Sequence, residues 1–453
     1  MLGISGASFW RDEAATLSAT QRSLPEMVRM LGHVDAVHAL YYLMMWPLAH
    51  LFGTSELVMR LPSAIAIAVA AFGVALIGRR LGTWQTGLLA GLVFAALPMT
   101  SRYGQEARSY ALVTAIAVLS SYLAIRLIDE PVRRWLVSYA ASLAALGAMN
   151  IFALLIIPAH GMTLAAAKRP AQAARATRVW AAAVAAACAA ATPMALLTWI
   201  ERQQLAWLGK PRFSEVMALL TAATGSGAAF VLLVALGVAG TIGGRRRSGE
   251  KAESEPAGGR IFWLSAPWLF VPPGLLIAIS EIRAVYVNRY VVFCLPALAL
   301  LTGAGLAALG RYWRIAAFGM IVLLALPMQL TIRQPPGHGD DIRSAAQIVQ
   351  AKARPTDAVV YRKPGSRELG AAYPYGVTRL RDIGLAESAV AVGNLSGTDV
   401  ARSQLDQRLR VAKRVWFVEV GDDDLYPRLV GPPRFKLIRR WSVGGIALLL
   451  YRH

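Results

Sequence analysis

"RLPSAIAIAVAAFGVALIGRR", residues 60–80, decides the fold. No charge falls between Arg60 and Arg79. A helix over that run rises about 27 Å at 1.5 Å per residue, close to the hydrocarbon thickness of a bilayer. Pro62 sits in the first turn, where its missing N–H costs little. The run therefore predicts a membrane-spanning helix closed by arginines.

The same pattern recurs along the chain. Apolar runs predict spans near 61–79, 84–100, 107–127, 135–149, 151–167, 179–199, 216–242, 261–280, 290–309 and 314–331. The stretches at 135–149 and 151–167 are short, and one passage bent around Asn150 is the alternative. Of 453 residues, 56% are hydrophobic and only 16% charged, which sets the chain apart from soluble domains at about a quarter charged. The formal net charge of +21 reads as loop charge on a membrane protein and not as a nucleic-acid surface. Arg79–Arg80, Arg133–Arg134, Lys168 to Arg178, Arg245–Arg247 with Lys251 and Arg260, and Arg311–Arg314 fall on one side under the ten-span count. The positive-inside rule makes that side cytoplasmic. Cys188 and Cys294 lie in apolar runs and read as small packing residues. The Ala, Arg and Gly content suits a bacterial source with G+C-rich codons.

Three regions follow. Residues 1–60 form a first external loop, in which 17–32 and 38–53 read as amphipathic surface helices. Residues 61–331 form the transmembrane bundle, and 332–453 form an extracytoplasmic α/β domain. "DDIRSAAQIVQAKA" reads there as a helix, and "DAVVY", "RVWFVEV" and "GIALLLY" as strands. Residues 1–10 read as the outer end of a further spanning helix whose body would be encoded upstream.

The unusual polar clusters all fall on the side opposite the basic loops. "ASFWRDEAAT", residues 7–16, holds Arg11, Asp12 and Glu13. Adjacent side chains point apart, so the two acids serve different ends. A carboxylate there is either a general base for an acceptor hydroxyl or part of a helix cap. "HVDAVH", residues 33–38, offers Asp35 and His38 as sugar contacts or as a polar hinge. Its spacing does not suit a zinc pair, so no metal ligands are assigned. "YGQEARSYAL", residues 103–112, puts Gln105, Glu106, Arg108 and Tyr110 at the mouth of a helix hairpin. They either bind phosphate and acceptor or close the turn as an Arg–Glu pair. "NRYVVFCLP", residues 288–296, presents Arg289 and Tyr290, either to a phosphate or as an interfacial anchor. No P-loop, dinucleotide fingerprint or nucleophile elbow occurs, which argues against ATP-driven transport and soluble hydrolase chemistry.

"FWRDEA", "YYLMMWPLAHLFG", "RLPS", "YGQEARSYAL" and the late "RY" with "LP" occur in an order that resembles the membrane-embedded C-type glycosyltransferases. The nearest likeness is to glycosyltransferase family 39, with the bacterial protein mannosyltransferases and the lipid A aminoarabinose transferase. It covers about residues 5–330 and is strongest over 8–112. The resemblance implies an inverting transfer of mannose or another hexose or pentose. The donor would be a polyprenyl-phosphate-linked sugar, and the acceptor a glycan, lipid or protein at the outer face of a bacterial cytoplasmic membrane. It implies Asp12 as the catalytic acid of the first external loop with Glu13 as partner, Glu106 and Arg108 as the second external loop's acidic and basic residues, and Arg289 toward the carrier phosphate. It fixes no cofactor, and a divalent cation at the phosphate is left open. "HVDAVH" departs from the proline-rich pattern of many relatives, and the resemblance leads one to expect the family's first helix upstream of Met1. A flippase for a lipid-linked glycan is the alternative, but it calls for polar or broken helices at mid-membrane. A non-catalytic scaffold is the third reading.

Overall fold

The computed structural model describes residues 3–167, 170–201, 209–247, 257–377, 379–420 and 435–453. Lys168, Lys251 and most of "ERQQLAWLGK" lie outside the described residues. The chain opens with three short helices, α1 (Arg11–Thr20), α2 (Leu24–Leu31) and α3 (Ala39–Phe52). Further helices, most of them apolar, follow: α4 (Glu56–Leu81), α5 (Trp84–Ala96), α6 (Pro98–Tyr103), α7 (Tyr110–Asp129), α8 (Arg133–Met149), α9 (Ile156–Ala166) and α10 (Pro170–Ile200). The series continues with α11 (Phe213–Thr224), α12 (Gly227–Arg247), α13 (Ala257–Ile282), α14 (Leu295–Ala308) and α15 (Arg311–Thr331). Two compact units result, Leu61–Leu330 and Leu2–Arg60 joined with Thr331–His453.

Every stretch expected to span is helical in Leu61–Leu330. Among the described residues six helices are long and apolar enough to cross a bilayer, and a seventh if α11 and α12, bent by 78° between them, make one passage. The chain is a multi-pass membrane protein. Its predicted ten spans include α5 and α9, which are shorter than a full crossing. Pro98 breaks the 84–100 run: Leu97 before it is extended, with ψ 130°, so α5 ends and α6 starts afresh. The break between α8 and α9 falls at Asn150, whose side chain accepts the Phe152 N–H. α14 lies deepest, with 83% of its span buried against 11% for α15. Glycines permit this. A Cβ on Gly303 would lie 2.6 Å from the Ala90 backbone nitrogen, and one on Gly305 would overlap the Leu236 carbonyl. The helices touch backbone to backbone, as small residues allow in membranes.

The other unit carries a mixed five-stranded sheet of order β2-β1-β5-β7-β6. Its strands are β1 (Ala358–Tyr361), β2 (Arg381–Asp382), β5 (Arg414–Val420), β6 (Lys436–Val443) and β7 (Ile446–Arg452), with β3 (Leu385–Glu387) and β4 (Thr398–Asp399) pairing separately. β1 is parallel to β2 and β5, while β7 runs antiparallel to β5 and β6. Val360, Ile383, Val415, Phe417 and Tyr451 form its core with Leu409 of the Arg402–Val411 helix. A helix α16 (Ile342–Lys352) precedes the sheet, capped by Asp341.

The N-terminal loop is built into this unit and not a free-standing region. Ser8 N–H donates to the Pro335 carbonyl at 2.9 Å, and Arg343 donates to the carbonyls of Ser5, Gly6 and Ala7. The expected surface helix over 17–32 is in fact two pieces. α1 begins earlier, at Arg11, and Ser23 starts α2 with Glu26 returning a bond to its backbone. α3 buries Tyr41, Tyr42 and Met45 and exposes Leu43, Met44, Leu51 and Phe52, so it is apolar on both faces and not the amphipathic helix expected over 38–53.

Candidate functional site

Asp12 and Glu13 occupy the first turn of α1, where the helix dipole favours negative charge. Their environments differ. Glu13 is fully buried and takes Arg60 in a two-pronged pair, Nε to Oε1 at 2.8 Å and Nη2 to Oε2 at 2.7 Å. It also accepts the Trp10 N–H at 3.4 Å. Arg60 spends its remaining N–H groups on the carbonyls of Ile4, Ala7 and Ser8, each at 2.9 Å, and lies over the Phe9 ring. All five guanidinium donors are thus committed. Asp12, one residue earlier, is partly exposed. Arg11 points to Asp340, with Nε to Oδ2 at 3.0 Å and Nη2 to Oδ1 at 3.2 Å.

A second knot sits beside the first. Tyr373 donates to Glu56 Oε1 at 2.6 Å and accepts the Phe9 N–H at 3.0 Å, and Arg343 reaches the same carboxylate oxygen at 2.7 Å. The backbone from Ser5 to Glu13 is thereby held from three directions, which fixes where α1 begins. Asp35 has a left-handed backbone, φ 61°, and accepts the Tyr42 hydroxyl at 2.7 Å. His38 lies 5.9 Å from the Tyr42 ring. This is a turn braced by its own helix.

The remaining predicted residues belong to the helical unit. After α6 the chain turns through 104–109 before α7 begins. Ser63 of α4 donates to the Glu106 carbonyl at 2.6 Å and fixes that turn. Glu106 is buried and paired with Arg102, one helical turn earlier. Arg108 is buried, and Tyr110 packs edge-on against Tyr103 at 5.4 Å. Gln105 is fully buried, and among the described residues neither amide heteroatom has a hydrogen-bond partner. Such a group costs about 1–3 kcal/mol unless something supplies the missing bonds. Arg289 and Tyr290 lie on a 3₁₀ segment, Asn288–Cys294, that packs against α7, and Tyr290 stacks on Phe152 at 5.1 Å.

Within one unit, then, Arg11, Asp12 and Glu13 are neighbours on α1, with Asp35 and His38 on the separate turn before α3. Within the other, the 104–109 turn gathers Gln105, Glu106 and Arg108 at the foot of α7. Among the described residues no three His, Cys, Asp or Glu side chains converge as a metal site. Sequence reasoning missed Arg60, Arg102, Ser63 and Tyr373. Arg60 carried a signal, since an arginine opening an apolar helix demands a partner. Arg102 and Glu106 stand four apart, a readable helical pair.

No family model and no curated protein sequence matches the chain. Solved structures do. ArnT from Cupriavidus metallidurans in the apo state superposes with a TM-score of 0.62 at 12% identity, covering 99% of this chain and 95% of that one. ArnT from the same organism bound to undecaprenyl phosphate gives 0.60 at 14% identity, with the same coverage. The fold is that of ArnT, here an apolar helical bundle together with a small C-terminal sheet domain.

Proposed function

We propose that the protein transfers a sugar from a polyprenyl-phosphate carrier to an acceptor hydroxyl at the outer face of the cytoplasmic membrane. The observation that carries this reading is the likeness to ArnT over nearly the whole of both chains, one ArnT structure holding undecaprenyl phosphate. We extend that ligand class to this chain. The sugar is a hexose or pentose, mannose included, and the acceptor a glycan, lipid or protein.

Residue chemistry assigns the roles. The acceptor oxygen attacks the anomeric carbon, and the bond from that carbon to the phosphate oxygen breaks. Its electron pair leaves with polyprenyl phosphate, the hydroxyl proton passes to Asp12, and the anomeric configuration inverts. Asp12 suits a base because it is partly exposed on α1. Glu13, both oxygens on Arg60, is assigned to positioning. Arg289 and Arg108 hold the leaving phosphate as planar donors. Glu106 orients the 104–109 turn through Arg102. Gln105 offers an amide to a sugar hydroxyl, which would supply its missing bonds. Arg11, Asp35 and His38 of one unit, and Tyr110 and Tyr290 of the other, are assigned as contacts to donor or acceptor. A divalent cation is not required by these roles.

Asp12→Asn tests the assignment. It should lower turnover by about 10²–10⁴, the usual contribution of a positioned base, with donor binding unchanged. Turnover at the wild-type level would remove Asp12 from the chemistry.

A further inference from the structure

The arginine-rich end of the helical unit holds a groove that no role in sugar transfer uses. It lies where α4 and α7 end, beside the end of α9 and the start of α13, as a shallow groove open to solvent whose enclosed space is about 40 Å³. Leu81, Ile125, Ile128 and Leu264 make its walls apolar. Thr163 donates to the Trp263 carbonyl at 3.0 Å, tying α9 to α13. Arg260 lines the same groove and pairs with Asp129 at 3.0 Å. Arg80 pairs with the other oxygen of that carboxylate at 2.9 Å. Two guanidiniums thus share one carboxylate, leaving a net positive charge at the mouth. Both remain accessible, with side-chain exposures of 33% for Arg260 and 29% for Arg80. Trp263, 40% exposed, stands beside them as an interfacial aromatic does.

We infer that this groove is a binding site for an anionic phospholipid, its phosphodiester on Arg260 and Arg80 and the start of an acyl chain along the apolar walls. Three features select this occupant. The chain crosses a bilayer, so lipid is the solvent of an apolar groove on its helices. The residual charge is positive and carried by arginines, whose fork matches a phosphate. Basic pockets between spanning helices are established headgroup sites. A zwitterionic lipid brings its own cation to the mouth and gains nothing there.

Purified full-length protein titrated with dioleoyl-phosphatidylglycerol, dioleoyl-phosphatidylcholine or polyprenyl phosphate tests the site by native mass spectrometry and thermal shift. Phosphatidylglycerol should be retained and should raise the melting temperature, while phosphatidylcholine does neither. Arg260→Gln should weaken retention about five-fold, as expected for one basic side chain at a lipid phosphate. Ala166→Trp, which fills the groove wall without touching a charge, should abolish the shift and carries the test should Arg260→Gln fail to fold. Equal retention of both phospholipids, or an undiminished shift in Ala166→Trp, overturns the proposal. So does a polyprenyl phosphate shift that matches phosphatidylglycerol and is equally sensitive to Ala166→Trp.

Discussion

Replacing Arg60 by methionine removes the residue that organises the N-terminal segment. The side chains of Arg60 and Glu13 are both 0% exposed, so neither has water to fall back on. Breaking a buried ion pair from one side costs about 3–5 kcal/mol, because the surviving charge stays unpaired. The buried Ser8 carbonyl loses its donor as well, worth about 1 kcal/mol or more, whereas Ala7 keeps Arg343 as a donor and the Ile4 carbonyl is only partly buried. Arg60→Met should therefore destabilise this unit by about 4–6 kcal/mol, comparable to the lower end of a whole domain's margin. Glu13→Gln keeps the shape and one acceptor but not the charge, and should cost about 3 kcal/mol. At roughly 2–4 °C per kcal/mol for a unit of this size, Glu13→Gln lowers the melting temperature by about 6–12 °C. The double variant should cost clearly less than the sum, since neither half then strands a charge. Differential scanning fluorimetry on the four proteins reads the cycle. Additive shifts, or a drop below about 2 °C for Arg60→Met, would refute the reasoning.

Three further outcomes follow from other contacts. Burial first, and then the hydrogen bond to Glu56, pushes the Tyr373 hydroxyl up to about 12. The neutral phenol is therefore the stabilised form. Its contribution is complete below about pH 10 and is lost as pH rises from there through 12, roughly 2–3 kcal/mol in all. Melting curves of wild type and Tyr373→Phe should differ by about 1–3 kcal/mol at neutral pH and converge across that window. Gly305→Leu drives a side chain into the Leu236 carbonyl and should prevent α14 from seating, read as loss of monodisperse protein on gel filtration. Gln105→Leu should relieve the unpaired amide and raise the melting temperature by a few degrees while raising KM for the donor; an unchanged KM would remove Gln105 from recognition.

Much of this architecture was legible from local pattern. Apolar run length placed the apolar helices of the membrane unit, though not the breaks within the 84–100 and 216–242 runs, and alternating or wholly apolar runs placed β1, β5 and β7. The misreadings have local causes. The 17–32 stretch was read as one helix because its polar residues keep helical spacing, yet Ser23 and Pro25 restart the helix. β6 escaped notice because residues Lys436 to Arg440 are all exposed and an irregularity between Leu437 and Arg439 breaks the alternation. At the candidate site, the acid pair stood out as charge in an apolar chain. Its partners did not. Glu56 meets Tyr373 across 317 positions and Arg343 across 287, and no periodicity encodes contacts so far apart. Nor does spacing distinguish a structural carboxylate from a reactive one. That difference between Glu13 and Asp12 emerges only when Arg60 is seen to engage both oxygens of Glu13.

The central claim is transfer from a lipid-linked donor, and acceptor-dependent release of polyprenyl phosphate measures it most directly. Purified full-length protein given polyprenyl-phosphomannose, and then polyprenyl phosphates carrying other hexoses and pentoses, is to be assayed for free polyprenyl phosphate and for the glycosylated acceptor. Both should appear in equimolar amounts with at least one donor, with inverted configuration at the anomeric carbon, and both products should be lost in Asp12→Asn. A protein that binds these donors yet releases no polyprenyl phosphate with any acceptor, or whose product retains the donor's configuration, would contradict that claim.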